Sequence, residues 1–134
     1  MAQTQSTVNA ILSNRRTENS VDNNTVVLLS SSASSLDQVL IDNTLNSADS
    51  YLRLWDASSA GGITNGTTDP IFVLPAAAGK SVDYTFAAVG SYGTLSSRGA
   101  NFANGICYSV VTAGGTSGST APSSAVTVKF LTSE

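Results

Sequence analysis

Apolar residues fall along this chain in short bursts separated by turn-forming residues, too short for helices but right for strands of four to seven residues. The bursts span 25–29, 38–41, 51–55, 71–74, 82–86, 106–111 and 125–131, with an eighth near Phe102. The pattern predicts an all-β domain. Alternation is clearest in the last burst, where Val126, Val128 and Phe130 share one face and Thr127, Lys129 and Leu131 the other. In the third burst Leu52 and Leu54 point one way while Tyr51, Arg53 and Trp55 point the other. Two readings of that second face stand side by side. The aromatic stems flank Arg53 on a half-covered outer face, or the three form an interface strip of the residue types enriched at hot spots.

The punctuation between bursts is that of a β-sandwich. Gly61-Gly62, Asn65-Gly66, Asp69-Pro70, Ala78-Gly79, Tyr92-Gly93, Asn104-Gly105 and Gly114-Gly115 are turn dipeptides, and Asn104-Gly105 sits directly before a strand, as in a hairpin. Seven or eight short antiparallel strands at this spacing predict a β-sandwich or jelly roll over 25–134, with a small barrel as the second architecture. The Gly/Ser/Thr run 114–120 is followed by a strong strand, so it reads as an internal loop. Residues 1–24 break the rhythm. They are polar, with only Val8, Ile11 and Leu12 spaced for one side of a single helical turn, and they read as an extended N-terminal arm. Docked on a neighbouring chain, the arm would bring those three apolar side chains as anchors and Arg15 and Arg16 as partners for acidic groups.

Composition narrows the chemistry. Among 134 residues there is no histidine and one cysteine, which removes imidazole bases, Ser-His and Cys-His dyads and the common zinc sites. A formal charge of −3, with two Lys and four Arg, argues against nucleic acid as a partner. The charged fraction of 11% is under half the usual share, and a surface so rich in hydroxyls suits a permanently assembled or extracellular protein. Neither a basic, apolar leader nor a membrane-length apolar stretch is seen, so synthesis in the cytoplasm and no membrane partner are expected. Cys107, within an apolar strand, reads as a buried thiol.

Candidate sites are correspondingly few. Nine carboxylates are scattered, no spacing selects a catalytic pair, and most adjoin Asn or Ser, where they cap turns. Asp37, Asp42, Asn43, Asn46 and Asp49 crowd one region as oxygen donors of the kind calcium takes, without EF-hand spacing. The run 61–66 lacks the lysine and helix of a phosphate loop, and the tripeptides beginning at Asn23 and Asn65 read as turns. No cofactor, metal or small-molecule substrate is expected.

One stretch carries a resemblance. Tyr51-Leu52-Arg53-Leu54-Trp55-Asp56, then Gly66-Thr67-Thr68-Asp69-Pro70, Leu74-Pro75-Ala76-Ala77-Ala78-Gly79, Phe102-Ala103-Asn104-Gly105-Ile106 and Val110-Val111-Thr112 follow one another in a recurring layout. Over about 39–128 the chain resembles small virion structural proteins of tailed bacteriophages. The resemblance implies a β-sandwich on the virion surface and a capsid cement or decoration protein stabilising the head, with the major capsid protein or other virion proteins as partners. A tail or baseplate component, or a host-surface glycan adhesion module with Tyr92 as its stacking residue, is the alternative. No catalytic residue comes with the resemblance. A homo-oligomer, trimer or dimer, is expected of a shell component. The interface residues expected are Val8, Ile11, Leu12, Arg15, Arg16, Tyr51, Arg53 and Trp55.

Overall fold

Strands form where β-branched, leucine and aromatic residues alternate with hydroxyl and amide residues, because such side chains pack well on a pleated surface that is buried on one side. In the computed structural model of the protein, residues 15–18, 24–86 and 99–133 are described. Nine strands are present among them: β1 (Arg15–Glu18), β2 (Val27–Ser30), β3 (Ser34–Asp42), β4 (Ser50–Asp56), β5 (Phe72–Ala76), β6 (Ser81–Thr85), β7 (Ala100–Phe102), β8 (Ile106–Val111) and β9 (Thr127–Ser133). A 3₁₀ turn at Ala60–Gly62 lies between β4 and β5. No helix among the described residues is long and apolar enough to cross a membrane.

Every strand pairing is antiparallel, in two sheets. One runs β1-β9-β3-β6, with β7 continuing the β6 edge along the other end of β3; the second runs β2-β8-β4-β5. Thus β1 lies on β9, β2 on β8, β3 on β6 and β7, and β4 on β5. The first half of the chain lies against the second half in reverse order, as one long hairpin folded over itself. This is the strand order of a jelly roll, the first of the two architectures that the sequence predicts.

The core lies between the sheets. Leu36, Val39, Ile41, Phe102, Val128 and Phe130 come from one sheet, and Leu52, Leu54, Leu74, Ile106, Tyr108 and Val110 from the other. Burying a large apolar side chain contributes about 1.5–3 kcal/mol, so this layer is the main stabilising term. Tyr108 and Phe130 meet across it with ring centroids 4.8 Å apart. Register keeps like with like, Leu52 lying opposite both Leu74 and Val110, and Ile41 opposite both Val82 and Val128.

Asn104-Gly105 does not turn a hairpin, since β7 pairs with β3 in one sheet while β8 pairs with β2 and β4 in the other, and two further elements differ from the sequence expectation. A strand, β1, forms within the polar arm because β9 offers an unpaired edge and backbone hydrogen bonds need no apolar side chain; Arg15 lies opposite Leu131 and Glu18 opposite Val128. The second is β3, which starts at Ser34, inside the serine-rich stretch. There the Ser30 and Ser34 hydroxyls bond each other at 2.8 Å, so a half-buried start to the strand is satisfied locally.

Candidate functional site

The outer face of the β2-β8-β4-β5 sheet does not meet solvent as a bare sheet. Two loops, 57–71 and 112–126, lie over it, and the strip Tyr51, Arg53 and Trp55 is their bed. Arg53 is 0% exposed. Its Nη1 donates to Asn65 Oδ1 and to the Gly118 carbonyl, both at 2.7 Å, and its Nη2 to the carbonyls of Ser117 at 2.9 Å and Ala113 at 3.2 Å. One guanidinium therefore holds both loops. Burial pulls the Arg53 pKa below its ordinary value, because desolvation disfavours the charged guanidinium.

The neighbours of Arg53 complete the layer. Trp55 Nε1 donates to the Thr68 carbonyl at 3.0 Å. Asn65 Nδ2 donates to the Asn24 carbonyl and to Ser109 Oγ, at 2.7 and 2.8 Å. Gly114 passes so close to the Tyr51 ring that a Cβ there would lie 3.2 Å from Cε1. Gly118, at φ +85°, occupies backbone space that other residues rarely adopt, and a Cβ would meet the Ala113 methyl at 2.8 Å. The glycines of the 114–120 run thus permit a close approach to the sheet that Arg53 then fastens.

Of the expected interface residues, Arg53 and Trp55 lie beneath the chain's own loops. The alternation places them, as expected, on the face opposite Leu52 and Leu54, but they are 0% and 3% exposed and bonded within the chain. The half-covered strip of the sequence reading is a fully covered one at these two positions. Tyr51 remains partly exposed. Arg15 and Arg16 lie on β1. Val8, Ile11, Leu12 and Tyr92 lie outside the described residues.

The oxygen-rich region between β3 and β4 is a hydrogen-bonded clasp. Asn43, 0% exposed, donates through Nδ2 to the carbonyls of Ala48, Ala76 and Ala77, and its Oδ1 accepts from Asn46 Nδ2 and Ser50 Oγ. Asn46 Oδ1 accepts from the Ser124 N–H at 2.8 Å. Carbonyls that calcium could take are thus occupied by amide donors. Asp42 accepts from both the hydroxyl and the N–H of Thr44, which hold its carboxyl below the usual 3.8. Asp49 caps Ala78 N–H at 3.0 Å and Asp56 caps Asn104 N–H at 2.8 Å. Among the described residues no three His, Cys, Asp or Glu are grouped to hold a metal ion. Cys107 is buried, and burial pushes its thiol above the usual 9.0, the opposite of an activated nucleophile.

Sequence reasoning missed the clasp and the Arg53 fastening. Their signals were an arginine inside an apolar strand and two asparagines flanking a short turn, neither of which names its partner. No family model, curated protein or solved structure matches this chain. The fold and the chemistry of its surfaces therefore carry the functional reading.

Proposed function

We propose that this chain is a non-enzymatic assembly protein of a virus particle, a capsid cement or decoration protein that stabilises a phage head through contacts between neighbouring subunits. The observation that carries the reading is the jelly-roll strand order in a chain whose buried polar residues Arg53, Asn43 and Asn46 hold its own loops. Such sandwiches occur in viral capsids and in lectins, so fold alone does not choose between them. The choice is supported by the committed chemistry of Arg53, Asn43, Asp42 and Asp49, and by the resemblance of 39–128 to small virion proteins of tailed phages. Cement proteins act by burying surface at many equivalent junctions, where weak contacts combine through multivalency. A weakly charged sandwich with a buried thiol and no metal-holding cluster among the described residues suits that task.

The test is copy number and binding. Quantitative mass spectrometry of particles that incorporate the chain is expected to find it at a stoichiometry near that of the major capsid protein, and the purified chain is expected to rebind particles stripped of it. A handful of copies per particle would instead assign it to the tail or baseplate. A glycan array bound by the isolated chain, with no particle binding, would assign it to adhesion.

A further inference from the structure

Beside the fastened loops, the end of β4 and loop 57–71 enclose a cleft of about 290 Å³ whose walls include Trp55, Ile63, Thr68 and Ile71, with Asp56 and Asp69 among its polar groups. That volume lies at the lower limit of pockets that take drug-sized molecules, so it suits a single side chain better than an extended ligand. Ile71 is 49% exposed at this cleft, an apolar surface open to a partner.

Charge and hydrogen bonding together point to the kind of side chain. Four donors around the cleft are engaged: Trp55 Nε1 with the Thr68 carbonyl, Ile63 N–H with the Ala60 carbonyl, Thr68 N–H with the Thr64 carbonyl and Ile71 N–H with the Leu54 carbonyl. The carboxylates are engaged through one oxygen each. Asp56 Oδ1 accepts from Asn104 and Gly105 N–H, and Asp69 Oδ1 accepts from the Thr116 hydroxyl. Accepting capacity thus remains at both, and no Lys or Arg is among the described residues lining the cleft. A ligand that fits has an apolar stem for Ile63 and Ile71 and a positively charged, donor-rich head for Asp56 and Asp69.

We propose that this cleft binds one cationic side chain, an arginine or lysine presented by a partner protein. The site goes beyond the assembly reading, since it would operate on any basic partner segment. Trp55 is the chain's one tryptophan, so its fluorescence and its indole N–H resonance report directly on the cleft.

The experiment titrates the full chain, at low salt, with Nα-acetyl-arginine methylamide, its lysine analogue, the uncharged norleucine analogue and a methyl glycoside. The cationic probes are expected to shift the Trp55 indole N–H and the Ile71 methyl signals, and added salt to weaken the effect. Asp69→Asn keeps an oxygen for the Thr116 hydroxyl while removing the charge, and is expected to weaken binding about fivefold with an unchanged melting temperature. Equal binding of the norleucine analogue, response to the glycoside alone, no response to any probe, or undiminished binding by Asp69→Asn would each overturn the proposal. Particle binding is a separate measurement, so this site and the assembly role fail independently.

Discussion

Removing the Arg53 side chain takes its donors away from Asn65 Oδ1 and the carbonyls of Ala113, Ser117 and Gly118. Hydrogen bonds from a charged group contribute about 1.5–3 kcal/mol each, while a buried donor left unpaired costs about 1–3 kcal/mol. Arg53 Nε is such a donor, and the desolvation that lowers the Arg53 pKa also opposes the four bonds, so their contribution is read by removing the donors. Arg53→Met, which keeps the stem and removes the donors, is expected to cost about 3 kcal/mol in urea unfolding. Amide exchange should rise first in 113–120, ahead of the sheets. Arg53→Lys keeps the charge but replaces a planar fork with one ammonium, which cannot span four acceptors on two loops, and is expected to recover less than half of that loss. A stability equal to wild type in Arg53→Met would show that the loops are held by packing alone.

The Asn43 clasp and Gly105 act on whole elements. Asn43 ties the β3-β4 turn to the end of β5, and Asn46 ties the same turn to the entry of β9. Asn43→Asp sets a carboxylate against three carbonyl oxygens that now accept from its amide, and is expected to cost about 3 kcal/mol or to prevent folding. Asn43→Ser, with one donor kept, should be milder. Gly105 packs so that a Cβ would lie 2.5 Å from the Ser30 carbonyl oxygen and 2.6 Å from that of Ala57. Gly105→Ala is therefore expected to lower thermal stability by about 2–3 kcal/mol, read by calorimetry. These features explain which parts of the fold were legible in the sequence. Strand β8, at 106–111, was legible, and β9 was legible from the burst at 125–131 though it runs 127–133, because alternation is a local property, read within six or seven residues. The strand β1 was not, because its residues Arg15 to Glu18 carry no pattern and pair only because the β9 edge exists. The covering of Arg53 was not either, since it depends on carbonyls 60 to 65 positions away. The cap that Asp56 makes on Asn104 N–H was not legible either, since Asp56 adjoins neither Asn nor Ser, and its place in a cleft with Asp69 needs the fold.

For the molecule as a whole, the absence of histidine in the full sequence sets a pH profile. No side chain has an ordinary pKa between about 5 and 8, so the melting temperature is expected to be nearly flat there. On the alkaline side, burial holds the Cys107 thiol and the Tyr84 phenol above their usual 9.0 and 10.0. The folded chain keeps these protons while the unfolded chain releases them, so their stabilisation is intact below about pH 9 and drains away as pH rises through the folded values. Tyr84 also donates its hydroxyl to the Pro75 carbonyl, a bond between β6 in one sheet and β5 in the other that an ionised phenolate cannot make. On the acid side the sign reverses. The carboxyl of Asp42 is lowered by Thr44, so its contribution is present above about pH 4 and lost as pH falls through the folded value. Tyr84→Phe together with Cys107→Ser separates these effects from a general charge effect. The double variant is less stable at neutral pH, because it loses the bond to Pro75 and buries a new hydroxyl, but its decline above pH 9 should be shallower than that of the wild-type chain. An equally steep decline in both would place the alkaline transition on the surface charges and exclude these two groups as its source.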